Sequence, residues 1–365
     1  MSIKENHKLI REQPLSLSLS LSLSLMEPDS NSSKSEVAFE RLPMIRVYKD
    51  GRVERLLGTD FVPPSTDPET GVSSKDVTIP VAAAATTATS EPSSHVISAR
   101  LFLPKLTDSR KLPLLIYFHG GGFCISSPFT AIHHGYLNAL VAEAKVVAVA
   151  VDHRKAPEHP IPVAYEDAWA AIQWAASHCD GDGPEAWLNE HADFGRVFLS
   201  GESSGANIAH NTAMAVGDPE LRLNIRLLGV ALVHPFFWGS TPIGSEALPP
   251  NKRADVDWLW PFVCPSKPDN DEPWVNPMAD GAPSLAGLGC GRVLVCVAEK
   301  DILKDRGQWY YEVLGRSGWM GVAEIMETEG EGHGFHLFDM KTEKAKDLIR
   351  RLADFLNRDL PPLMS

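Results

Sequence analysis

The apolar run Arg196-Val197-Phe198-Leu199-Ser200 ends in Gly201-Glu202-Ser203-Ser204-Gly205, and a helix-like stretch, Ala206-Asn207-Ile208-Ala209-His210-Asn211, starts immediately behind it. A strand that passes straight into a helix leaves room for only one tight, strained bend. Small residues two before and two after the apex permit that bend, and the apex side chain, Ser203, is pushed out at the end of a sheet. The five-residue pattern alone is weak, because Gly and Ser are common and most chance matches fall in loops. The flanking strand and helix give it weight. They commit the chain to layers of strands and helices with a hydroxyl presented as a nucleophile.

A second signal lies about eighty residues upstream, where His119-Gly120-Gly121-Gly122-Phe123 follows the apolar run Leu114-Leu115-Ile116-Tyr117-Phe118. Attack on an acyl carbonyl creates an oxyanion, and backbone N–H groups must point at it in a water-poor site. Side chains at Gly121 and Gly122 would obstruct that approach. These two N–H groups, with that of Ser204 just after the nucleophile, are the expected oxyanion donors. A merely flexible glycine turn would not combine a strand before it with an elbow farther on.

A serine hydroxyl needs a base, and the base needs an orienting carboxylate. The unbroken apolar run Arg292 to Ala298 reads as a buried strand with Glu299-Lys300-Asp301 at its end. Asp301 is the expected acid. Asp305 is its rival, but it falls in the first turn of a helix spanning Asp305 to Arg316, where the macrodipole favours a carboxylate without any catalytic role. After a further strand, Val322 to Glu327, comes Gly330-Glu331-Gly332-His333-Gly334-Phe335-His336. His333 is the expected base, since Gly332 and Gly334 let the backbone present its ring, whereas His336 faces back into structure. His119 reads as a structural partner of the glycine loop. Cys124 has no base supplied by any motif and reads as a packing residue.

The glycine loop, Arg154-Lys155-Ala156-Pro157-Glu158-His159-Pro160, the elbow with Ala206-Asn207, and Gly332-His333-Gly334-Phe335 together resemble the plant carboxylesterases of the hormone-sensitive-lipase-like group of α/β-hydrolases. The likeness runs from about Phe39 to near the C-terminus. It implies an α/β-hydrolase fold: a mostly parallel central sheet, helices on both faces, and an N-terminal helical cap. It also implies a Ser203–Asp301–His333 triad acting on small carboxylic esters through an acyl-enzyme, with no metal or cofactor. Two departures, Lys155 and Glu202 where leucine and aspartate are usual, leave substrate preference open. Two branches of the same fold are alternatives. Gibberellin receptors have lost the triad histidine, which this chain keeps. Hydroxyisoflavanone dehydratases often carry threonine as nucleophile, where this chain has Ser203.

With 365 residues, 44% of them hydrophobic, the chain suffices for one large core with a cap, the cap coming from the N-terminal segment and about 240–265. A net charge of −13 argues against nucleic acid and anionic membrane as partners. A small-molecule ester is the expected partner. Five cysteines without a Cys-x-x-Cys pair fit a reducing compartment, the cytoplasm and with it the nucleus. Leu15 to Leu25 alternates Leu and Ser, as any frame of a CT dinucleotide repeat would. Residues 1–38 are therefore read as a leader outside the fold, with Met26 as the start; the serines interrupt any secretory apolar core.

Elsewhere, Ile45 to Tyr48 and Val53 to Leu56 flank Asp50-Gly51, a strong hairpin signal. Asp76 to Pro80, Ile97 to Leu103, Val146 to Val151 and Leu227 to Val233 read as core strands, and Ala82 to Ser90 as a loop insertion. Asp167 to His178, Asn251 to Trp260 and Leu348 to Leu356 read as helices, the second of them in the cap. Phe236 and Trp238 emerge at a strand end, where crevices form in open α/β sheets. With Phe123 and Phe335 they are candidates for an apolar substrate pocket, plain packing under the cap being the other reading for each.

Overall fold

The computed structural model describes residues 36–81, 95–221, 223–247 and 250–358. The Leu-Ser repeat and the Ala82 to Ser90 insertion lie outside the described residues. Eight strands form one sheet: β4 (Ser73–Val81), β5 (His95–Leu103), β6 (Leu112–Phe118), β7 (Val147–Asp152), β8 (Ala192–Glu202), β9 (Leu227–Val233), β10 (Arg292–Ala298) and β11 (Val322–Thr328). Their order is β11-β10-β9-β8-β6-β7-β5-β4. The six from β11 to β7 run parallel, and β5 is antiparallel to both β7 and β4.

The parallel strands are apolar on both faces because both faces are covered. Leu114, Ile116 and Phe118 of β6 enter one core, while Leu115 and Tyr117 enter the other. On the first side lie α2 (Val163–Ala176), α4 (Ser204–Val216) and α7 (Lys304–Arg316); on the second lie α1 (Ala131–Ala144) and α9 (Glu343–Asn357). Thr342 caps α9 by accepting the N–H of Ala345 at 3.2 Å. A short α3 (Ala186–His191) leads into β8.

The chain order reverses between β6 and β8, so the loops leaving these two neighbours diverge and open a crevice at their C-terminal ends. That crevice holds the glycine loop on one side and Ser203 on the other.

The N-terminal segment differs from the helical cap that the resemblance implies. Its described residues form a three-stranded antiparallel sheet, β1 (Val37–Arg41), β2 (Ile45–Tyr48) and β3 (Val53–Arg55). Asp50-Gly51 turns β2 into β3, with Gly51 at φ 87°, as its hairpin chemistry demands. The helix expected over Asn251 to Trp260 is two: α5 (Pro250–Asp257) and α6 (Leu259–Val263). Pro261 has no N–H to extend the α5 ladder, so the axis breaks at Trp258.

These two parts meet. Phe39 stacks on Phe262 at 4.6 Å, and Arg41 pairs with Asp255 at 2.6 Å. No helix among the described residues is long and apolar enough to cross a membrane.

Candidate active site

Ser203 stands between β8 and α4 with φ 57° and ψ −121°, a costly conformation for a residue with a side chain. The bend is held by backbone bonds on both sides, Ser203 N–H to Val233 O and Phe236 N–H to Ser203 O, each 2.9 Å. The flanking glycines are sterically required. A Cβ on Gly205 would sit 2.0 Å from Phe118 O, and one on Gly201 would sit 2.4 Å from the Gly205 carbonyl carbon.

Across the crevice, Gly121 and Gly122 have φ 113° and 61°, and a Cβ on Gly121 would lie 2.4 Å from Ile125 O. Ser204 is the first residue of α4, so its N–H has no partner within the helix. Its hydroxyl accepts the N–H of Phe123 at 3.2 Å, joining elbow to glycine loop.

Glu202, one of the two departures from the usual residues, makes a second joint. Buried, it accepts the N–H of Gly120 at 2.6 Å, His133 Nε2–H at 2.7 Å and the Tyr117 hydroxyl. His119 serves the same loop through Nδ1, 2.7 Å from Gly120 O.

Asp301 and His333 meet as expected. The His333 Nδ1 is 2.7 Å from Asp301 Oδ2, and Asp301 Oδ1 accepts the Leu303 N–H at 3.0 Å. Asp301 is 1% exposed and His333 40%. Burial opposes charge on both, yet the pairing prevails: the Asp301 carboxyl lies below its ordinary value and the His333 imidazole above its own.

The rivals lie elsewhere. Asp305 accepts the Ser245 N–H and hydroxyl at 2.5 Å, pinning a turn on α7. His336, buried in the short α8 (Phe335–Phe338), is pushed down to about 3 by burial and packs edge-on to Tyr136. The Cys124 thiol is buried and pushed up to about 12.

Ser203, His333, Gly121 and Gly122 line one cavity of about 670 Å³, a volume suited to a small organic ligand. Its apolar wall is Met44, Leu56, Leu57, Ile125, Ile132, Leu259, Leu337 and Phe338. The four aromatics expected there are not in that lining. Phe123 and Phe236 pack edge-to-face at 6.1 Å in the core, and Trp238 is fully buried with its indole N–H on Asp257 at 2.8 Å. Phe335 is half-buried beside His234. Strand-end position alone does not say which way a side chain turns, and Phe236 and Trp238 turn inward.

His234, which the sequence reading missed, also lines the cavity. It directly follows β9, and its Nδ1 accepts the N–H of Gly334 at 3.1 Å. The signal was present: a polar residue at the end of an apolar run, as with Ser203 and Asp301.

A strained serine at the switch point of a parallel sheet, facing a glycine loop and a carboxylate-paired imidazole, defines a hydrolase of the nucleophile-elbow type. The sequence profile described as the alpha/beta hydrolase fold matches residues 115–337. A 2-hydroxyisoflavanone dehydratase of Glycyrrhiza echinata is 47% identical, covering 90% of this chain and 98% of its own. Probable carboxylesterase 2 of Arabidopsis thaliana is 45% identical over 90% and 98%. Among solved structures, an esterase of Pyrobaculum calidifontis is 28% identical with a TM-score of 0.62, covering 78% of this chain and 84% of that one. A thermostable carboxylesterase cloned from a metagenomic library is 27% identical with a TM-score of 0.63, over 78% and 88%. The chain belongs to the α/β-hydrolase family, in its group of plant carboxylesterases.

Proposed function

We propose that this chain is a serine carboxylesterase that hydrolyses small carboxylic esters through an acyl-enzyme. The supporting observation is that Ser203 shares a cavity wall with His333, whose other nitrogen is held at 2.7 Å by the buried Asp301. His333, oriented by Asp301, takes the Ser203 proton as the oxygen attacks the ester carbonyl. The N–H groups of Gly121, Gly122 and Ser204 stabilise the resulting oxyanion. His333 then returns the proton to the leaving alcohol, and water, deprotonated in the same way, releases the acid and restores Ser203. These side chains and water supply every proton and electron pair.

The three N-terminal strands with α5 and α6 act as the cap that shapes the apolar wall through Met44, Leu56, Leu57 and Leu259. Five free thiols fit a reducing compartment such as the cytoplasm or nucleus.

Ser203→Ala is expected to lower hydrolysis of a short p-nitrophenyl ester by several orders of magnitude and to abolish fluorophosphonate labelling. A fully active mutant overturns the assignment. The 47% identical dehydratase makes water elimination the second reading. Incubation with a 2-hydroxyisoflavanone, followed by mass spectrometry, separates the two: an 18 Da loss with no acid released favours elimination.

A further inference from the structure

His234 has no part in the scheme above, although four neighbouring strands each deliver one side chain to this rim: Ser203 after β8, His234 after β9, Asp301 after β10 and His333 after β11. His234 is 1% exposed and held at φ 45°, a left-handed conformation that is strained for a residue with a side chain. Its ring lies 5.7 Å from that of His333, and its Nε2 has no hydrogen-bond partner among the described residues.

One donor atom each from His234, Asp301 and His333 all lie within 4.8 Å of one another. Two imidazoles and one carboxylate are a donor set suited to zinc. Ligands at about 2.0–2.2 Å in a tetrahedron sit roughly 3.3 Å apart, so closing the set requires shifts of about 1.5 Å or less. The cavity lining adds the carboxylates of Asp60 and Glu202 and contains no Lys or Arg, which favours a cation over an anion there.

We propose that His234, Asp301 and His333 form a reversible inhibitory site for zinc or a zinc-like divalent cation. This rests on the esterase reading for its consequence, though not for the binding itself. If the cation takes Nδ1 of His333, the proton now on Nδ1 moves to Nε2; if it takes Nε2, the lone pair there is used. In both cases Nε2 can no longer accept the Ser203 proton, and Asp301 is neutralised as an orienting group. Coordination by His234 exchanges its bond from Gly334 for a metal bond, which keeps the site weaker than that of a resident structural metal.

The test uses the full chain, stripped with EDTA and desalted, then titrated with zinc and with Co²⁺ as a spectroscopic probe. Wild type and Ser203→Ala should each bind one Co²⁺ with the absorption of a four-coordinate ion. Zinc should lower wild-type hydrolysis at least tenfold at saturation, with recovery on adding EDTA. His234→Gln should weaken Co²⁺ binding at least tenfold. Where that variant misfolds by circular dichroism, His333→Gln should show the same loss. Absence of a bound equivalent, or binding unchanged in these variants, overturns the proposal. Full activity of Ser203→Ala would instead sink the esterase reading and leave the Co²⁺ stoichiometry standing.

Discussion

At the scale of single residues, the pairing of His333 with Asp301 sets how the protein should respond to pH. Burial lowers His333 and Asp301 raises it, with a net upward shift from the ordinary 6.5. The imidazole accepts a proton only when neutral, so kcat/KM should fall as pH drops through a value above 6.5, and hold above it. Asp301→Asn removes the cause of the rise. The acidic limb should then move to lower pH, and the maximal rate should fall by about 10⁴, the loss seen when a triad carboxylate becomes an amide. A pH–rate series on both proteins checks the two statements together. Ser203, Asp301 and His333 stood out as candidates in the sequence because each follows an apolar run at a place where backbone chemistry, glycine or a strand end, marks a turn. Glu202 was visible but undervalued. Its task, joining two loops whose strands are adjacent only through the β6–β8 crossover, depends on a topology that local sequence does not display.

At the scale of elements, the buried parallel strands were readable to within a residue or two, since fully covered parallel strands need continuous apolar runs. The exception is β8, which starts at Ala192, four residues before the apolar run, because Asp193 and Gly195 interrupt the pattern there. The cap was not. Its helical character came from likeness alone, while Phe39 to Leu57 carry the hairpin signal that the structure honours. Arg55 shows how this small sheet is fastened. Its guanidinium reaches both oxygens of Glu158 at 2.8 and 2.7 Å and the carbonyls of Cys124 and Ala156 at 2.8 and 3.2 Å. One side chain thus ties β3 to the stretch behind the glycine loop and to the Ala156–Glu158 turn. Arg55→Ala should raise KM several-fold with a smaller effect on kcat, because Leu56 and Leu57 lose their anchor. It should cost about 1–2 kcal/mol in urea unfolding, given the partial exposure of the pair. An unchanged KM would mean that the sheet holds its place without this tie.

At the scale of the whole molecule, the segment carrying α5 is locked to the hydrolase core by a buried ionic group. Glu246, wholly buried, accepts from Arg306 of α7 at 2.6 and 2.9 Å and from Arg253 of α5 at 2.9 Å. Arg306 is itself 1% exposed. Such a group contributes little net stability when intact, but losing one partner strands a charge away from water. Glu246→Ala should therefore destabilise the protein by about 3–5 kcal/mol in denaturant unfolding. None of this was legible beforehand, since three charged residues at ordinary spacing look like solvated surface until the fold buries them.

The parallel sheet has a further consequence for handling the protein. Every side chain assigned to the reaction sits where strands finish, away from the far margin where they begin. The connection 105–111, which enters β6 at that margin, offers an anchoring point for coupling the protein to a solid support. A tether there leaves the mouth facing the bulk liquid, and an immobilised preparation linked in this way should keep the turnover of the free protein.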